Sequence, residues 1–180
     1  MNLEFRAKRY GFVAGVALST AVLAAAPMTA SAAGQGESPS LAQKQVASPF
    51  TLVNGVSGRC MDDPGYVTTN GTQIALWDCN GGVNQKWTGN GSGTLTIGGK
   101  CLDVANGATG AHTPGTRAVL WDCNGSPTQN WLFNPNQSTP IKNASSGLCL
   151  DTAMAQGTPG VPVVMWNCGT SSPSQAWTPK

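Results

Sequence analysis

Gln73–Trp87, QIALWDCNGGVNQKW, returns as RAVLWDCNGSPTQNW over Arg117–Trp131 and, more loosely, as PVVMWNCGTSSPSQAW over Pro162–Trp177. All six tryptophans of the chain lie in these stretches, two in each, together with Cys79, Cys123 and Cys168. Each remaining cysteine heads a short motif upstream: CMD at Cys60, CLD at Cys101 and CLD at Cys149. The spacing is steady, 44 and 45 residues between Trp77, Trp121 and Trp166, and 44 and 46 between Trp87, Trp131 and Trp177. A unit that supplies the same residue types three times is read as a repeat, each copy building a third of one core.

Around these stretches, from Phe50 onward, apolar alternations of a few residues are separated by Asn-Gly turns at 54–55, 70–71, 80–81, 90–91, 106–107 and 124–125. No segment there carries a helical apolar stripe of useful length, so the texture is all-β. Each repeat, about 50–91, 92–137 and 138–180, reads as four strands. The first starts at FTLV, TLTI or PIK; the second carries CMD or CLD; the third runs into Trp-Asp-Cys or Trp-Asn-Cys; the fourth contains Gln-x-Trp. Twelve short strands are too few for a long solenoid but enough for a closed three-fold barrel, which removes exposed edges. Alternation puts Ile74 and Leu76 in the core with Ala75 and Trp77 on the other face; Val119 with Trp121 and Val164 with Trp166 repeat this. Met61 turns inward, while Cys60 and Asp62 face out together.

The N-terminal third belongs to something else. Arg6, Lys8 and Arg9 precede an uncharged apolar run from Phe12 to Ala26, and Ala30-Ser31-Ala32 supplies small residues at a cleavage spacing. The run is shorter than the ~20 residues that span a bilayer, so residues 1–32 read as a secretory signal peptide. Residues 33–49, polar, small and without period, read as a flexible leader to the domain at 50–180. Without the signal peptide the chain carries seven basic and seven acidic residues. A neutral, sparsely charged protein has no electrostatic pull toward nucleic acid or an anionic membrane. In the extracellular location this implies, six cysteines argue for disulfides, with 15 pairings open.

The CxD motifs, the Trp-x-Cys motifs and the Gln-x-Trp motifs at Gln85, Gln129 and Gln175 together resemble the ricin B-chain type lectin family, over about residues 48–180. The resemblance implies a β-trefoil and three disulfides within repeats, Cys60–Cys79, Cys101–Cys123 and Cys149–Cys168. Loops of about 20 residues closed in this way are worth on the order of 3 kcal/mol each. It also implies a non-catalytic carbohydrate-binding protein, expected as a monomer, whose partner is a polysaccharide such as a galactose- or xylose-containing polymer, with no cofactor and no metal.

Trp87, Trp131 and Trp177 are read as core, with the neighbouring glutamine amides satisfying leftover loop groups. Trp77, Trp121 and Trp166 are the candidates for stacking on a sugar's C–H face, with Asp62, Asp103 and Asp151 fixing hydroxyls. In related lectins an Asn before Gln-x-Trp and a Gln two residues before the aromatic complete the site. Repeat 1 retains Asn84 and Gln85 but has Ala75 at the upstream Gln place. Repeat 2 has Val119 and Thr128 there, and repeat 3 has Val164 and Ser174, which ranks the repeats first, second, third. The two valines favour a different class of function, a trefoil scaffold for protein interaction or inhibition with decayed sugar sites. Catalysis lacks the residues: His112 stands alone in a loop, the one glutamate beyond the signal peptide is Glu37 in the leader, and Asp62 and Asp63 face opposite ways.

Overall fold

The computed structural model describes residues 48–90 and 92–180; the signal peptide and leader expected at 1–32 and 33–49 lie outside the described residues, except for the leader's last two. Twelve short strands appear where the turn residues and alternations place them. In repeat 1 they are β1 (Leu52–Asn54), β2 (Cys60–Asp62), β3 (Ala75–Trp77) and β4 (Thr88–Gly89). Repeat 2 supplies β5 (Leu95–Ile97), β6 (Lys100–Val104), β7 (Ala118–Trp121) and β8 (Trp131–Leu132), and repeat 3 β9 (Lys142–Asn143), β10 (Cys149–Thr152), β11 (Val163–Trp166) and β12 (Trp177–Pro179). A one-turn helix, α1 (Gly107–Ala111), sits between β6 and β7.

The sheets are offset from the repeats by one strand. They run β12-β1-β2-β3, β4-β5-β6-β7 and β8-β9-β10-β11, so the fourth strand of each repeat pairs with the first of the next. The last strand meets the first through Leu52↔Pro179, Val53↔Thr178 and Asn54↔Trp177, which joins the two ends of the barrel. A four-strand repeat therefore cannot stand alone, because its outer strand finds its hydrogen bonds only on a neighbour.

Alternation delivers the expected interior: Leu52, Met61, Ile74, Leu76, Leu102, Leu120, Leu150, Val163 and Met165 are buried with Trp87, Trp131 and Trp177. Each of these tryptophans also finds a partner for its indole N–H, donating to the carbonyl of Met61, Leu102 or Leu150 at 3.0, 3.0 and 3.1 Å. The carbonyl belongs to the residue between Cys and Asp of the CxD strand, so the buried ring pins the strand that carries the carboxylate. The three disulfides form within repeats, Cys60–Cys79, Cys101–Cys123 and Cys149–Cys168.

The repeats meet at their third strands. Ile74 O, Ala118 O and Val163 O, each three residues before an outer tryptophan, all accept from one group, the Gln73 side-chain Nε2, at 2.7, 3.0 and 3.0 Å. Its Oε1 is buried without a hydrogen-bond partner. Arg117 and Pro162 occupy the corresponding places in the other repeats, so a single amide closes the three-fold meeting point.

Candidate functional site

Each CxD aspartate is held by the Gln-x-Trp glutamine of its own repeat. Gln85 Nε2 donates to Asp62 Oδ2 at 2.6 Å, Gln129 Nε2 to Asp103 Oδ2 at 2.8 Å and Gln175 Nε2 to Asp151 Oδ2 at 2.8 Å. The same amides donate to the carbonyls of Asp78, Asp122 and Asn167 and accept from the backbone N–H of Asn80, Asn124 and Gly169. Both amide protons and the amide oxygen are thus engaged, and Gln85 has no exposed surface. Gln85 therefore has nothing left to offer a ligand directly; its place is behind Asp62, which it orients. Repeat 1 adds a second brace, Asn84 Nδ2 to Asp62 Oδ2 at 2.8 Å.

The outer tryptophans stand on the same strand pair. Asp62 lies opposite Ala75 and Cys60 opposite Trp77, with Asp103/Val119, Cys101/Trp121, Asp151/Val164 and Cys149/Trp166 in equivalent register. The side chain directly across from each aspartate is therefore the alanine or valine that replaces an amide in related lectins. These three are buried because a neighbouring repeat crosses there, through bridges Ala75↔Pro162, Gln73↔Val119 and Arg117↔Val164. Trp77, Trp121 and Trp166 remain 44%, 43% and 49% exposed, large apolar faces open to solvent.

A loop from another repeat flanks each ring. Gly160 N donates to Leu76 O, Gly71 N to Leu120 O and Gly115 N to Met165 O at 2.7, 2.8 and 2.7 Å, bringing these glycines beside Trp77, Trp121 and Trp166. In two repeats a cation fastens the incoming loop. Arg59 donates to Asp78 and to Gly157 O, and Lys100 donates to Asp122 and to Asn70 Oδ1. Lys100 and Asn70 also hold the Asp122 carboxyl below its usual range. Repeat 3 has Leu148 and Asn167 in these places, which cannot form that ion pair.

The mouths differ as well. The turn at Pro64–Tyr66 packs on the turn at Val83–Gln85 in repeat 1, and α1 packs on the turn at Pro127–Gln129 in repeat 2, whereas the turns at Ala153–Ala155 and Pro173–Gln175 make no comparable contact. Asp62 is 1% exposed, Asp103 6% and Asp151 7%. Burial pushes the Asp62 carboxyl above its ordinary value despite the amide hydrogen bonds of Gln85 and Asn84. A cleft of about 630 Å³ lies in repeat 3, lined among others by Asp151, Val164, Trp166 and Met154. The amide inventory thus ranks repeat 1 first, while backbone shape opens repeat 3. Sequence reasoning did not find Met154 or the cleft.

Asp63 turns away from Asp62: its Oδ2 accepts from Thr68 N at 3.2 Å and its Oδ1 is buried without a partner, so it braces the β2–β3 loop. His112 is exposed at the end of α1. Among the described residues no three His, Cys, Asp or Glu side chains cluster as a metal site would require.

The chain matches the ricin-type beta-trefoil lectin domain over residues 48–177. It belongs to that family. A seed lectin of Trichosanthes anguina is 37% identical over 65 residues, which make up 36% of this chain but only 12% of that protein. The chain thus matches a small part of a much longer curated relative. Among solved structures the designed three-fold symmetric protein ThreeFoil is 25% identical with a TM-score of 0.66, over 73% of this chain and 96% of that one. A non-toxic homologue of type II ribosome-inactivating proteins from Momordica charantia, in complex with α-methyl-D-galactoside, is 25% identical with a TM-score of 0.61, over 73% and 48% of the two chains. The lectin domain supports carbohydrate binding as the general activity of residues 48–177.

Proposed function

We propose that the protein is a secreted, non-catalytic lectin that recognises galactose- or xylose-type polysaccharide through Asp/Trp sites on the outside of the trefoil. The observation that carries this reading is the threefold pairing of a glutamine-braced carboxylate with an exposed tryptophan on adjacent strands. The indole face supplies stacking for the apolar side of a pyranose, and the carboxylate accepts hydrogen bonds from adjacent hydroxyls. Neither Asp103 nor Asp151 has an amide partner equivalent to Asn84, so single sites are weak, near millimolar, about −4 kcal/mol. Several sites on one polymer raise the apparent affinity without new contacts. The Momordica neighbour bound to a galactoside supports the galactose side of this choice.

The signal-peptide pattern read in the sequence of residues 1–32 and the three disulfides support secretion, since such bonds persist in oxidising compartments. The test is a pull-down of the mature protein on insoluble galactan, xylan and cellulose, repeated with Asp62→Ala, Trp77→Ala, Asp151→Ala and Trp166→Ala. Retention on galactan or xylan that drops in at least one aspartate and one tryptophan variant is expected. Failure to bind any glycan would instead favour the protein-interaction scaffold, to which Val119 and Val164 point.

A further inference from the structure

Three residues after the CxD aspartate, repeats 1 and 3 share a left-handed turn but fill it differently. Repeat 1 places Gly65 there (φ 75°, ψ 4°) followed by Tyr66 (φ 52°). Repeat 3 places Met154 (φ 56°, ψ 27°) followed by Ala155 (φ 53°). Two successive non-glycine residues in this region are strained, because Cβ crowds the following carbonyl. The fold tolerates glycine at this point without strain, as repeat 1 demonstrates, yet repeat 3 carries a long apolar side chain. Nor does that side chain stabilise the core: Met154 is 84% exposed, the most of any large apolar residue described. Strain kept at a solvent-facing residue points to a role outside folding.

Met154 lines the same cleft as Trp166 and Asp151. The other polar groups around it are largely engaged. Ser174 and Ser172 pair hydroxyl to hydroxyl at 2.9 Å, the Gln175 amide is fully used, and Asp151 Oδ1 already accepts from Thr152 N at 2.7 Å. What the cleft presents to a ligand is one carboxylate, the side-chain amide of Asn167, one aromatic face and a second apolar lip formed by Met154 and Ala155. A bare hydroxylated ring would satisfy the first three and leave the lip wet.

We infer that the repeat-3 cleft selects a sugar ring bearing an apolar substituent, such as an aryl or alkyl aglycone, which lies along Met154 while the ring meets Trp166 and Asp151. This rests on the lectin reading and narrows it to a ligand class. Repeat 1 has Gly65 in place of Met154, with Tyr66 where repeat 3 has Ala155.

The experiment titrates the mature protein with D-galactose and phenyl β-D-galactopyranoside, and with D-xylose and phenyl β-D-xylopyranoside, by calorimetry. It compares wild type with Met154→Gly and Met154→Leu. The wild type is expected to bind the phenyl glycoside about tenfold more tightly than the free sugar. Met154→Gly should reduce that ratio to about two while raising the melting temperature by a few degrees, because the turn relaxes. Met154→Leu should keep the ratio. A wild-type ratio near one, or a ratio unchanged in Met154→Gly, overturns the inference and leaves the lectin reading standing. Binding of none of the four probes also overturns the inference, and the polysaccharide pull-down decides the lectin reading separately.

Discussion

Gln73→Glu exchanges one atom at the point where the three repeats meet, and its cost can be worked from the structure. The substitution puts a carboxylate oxygen where Nε2 now donates to Ile74 O, Ala118 O and Val163 O at 2.7–3.0 Å. Two N–H donors are lost, at about 1 kcal/mol each. An unpaired carboxylate facing three carbonyls adds a desolvation and repulsion penalty of about 2 kcal/mol or more. The sum, about 4 kcal/mol, is a large part of the ~5–15 kcal/mol by which a domain is stable. Burial and the carbonyls raise the pKa of this glutamate in the folded state, so the folded variant binds more protons than the unfolded chain. Its deficit relative to wild type therefore shrinks as pH falls from 7 toward 4.5. Gln73→Leu loses the same donors but also removes the partnerless Oε1, so the two effects offset and it should lie within about 1 kcal/mol of wild type. Urea unfolding of the three proteins at both pH values measures this. A Gln73→Glu loss below 1 kcal/mol at pH 7, or one equal at both pH values, refutes the closure assigned to this amide.

Three further outcomes follow from the site and the staples. Replacing Cys101 and Cys123 together by alanine, which opens a loop of sequence separation 22, should cost about 3 kcal/mol in denaturant unfolding and leave the other repeats' cystines intact on mapping. Burial raises the carboxyls of Asp62 and Asp63 above their ordinary 3.8, so the folded protein gains stability as pH falls through the window just above that value, while sugar binding at repeat 1 is lost there; Asp63→Asn should reduce the stability part in pH-dependent melting to the share of Asp62 and leave the binding part. Val164→Gln sets an amide directly across from Asp151, and calorimetry should show galactoside affinity rising about fivefold, equivalent to roughly one added hydrogen bond.

Most of the fold was written in residue spacing, because a strand exposes its period of two and a threefold repeat exposes its core three times. Ile74, Leu76 and Met61 were placed inward by alternation alone, and Trp77 outward. The one-strand offset between repeat and sheet was hidden, since fourth strands of two or three residues carry no pattern that names a partner. Gln73 was invisible for the opposite reason: Arg117 and Pro162 stand at its equivalents, so the repeat logic that revealed everything else gave it no copies. Gln85 read as a possible sugar contact because the motif places it beside Asn84, and only burial shows that it faces the carboxylate from behind. Met154 left a trace that alignment of the CxD motifs would have shown, DDPG against DTAM, with a glycine exchanged for methionine at a turn. Which mouth is open depends on whether one turn packs on another within the repeat, and residue types do not encode that distance.

The division of the six tryptophans into a buried set that holds the strands and an outer set that meets sugar is the central claim. It is tested most directly by following the six indole N–H signals by ¹H–¹⁵N NMR while a galactose-containing oligosaccharide is added. Trp87, Trp131 and Trp177, whose N–H groups already donate to backbone carbonyls, should stay in place. Signals of the outer set should move, Trp166 first, and saturate near millimolar sugar. Shifts confined to the buried set, or none with any galactose or xylose oligosaccharide, would contradict the account.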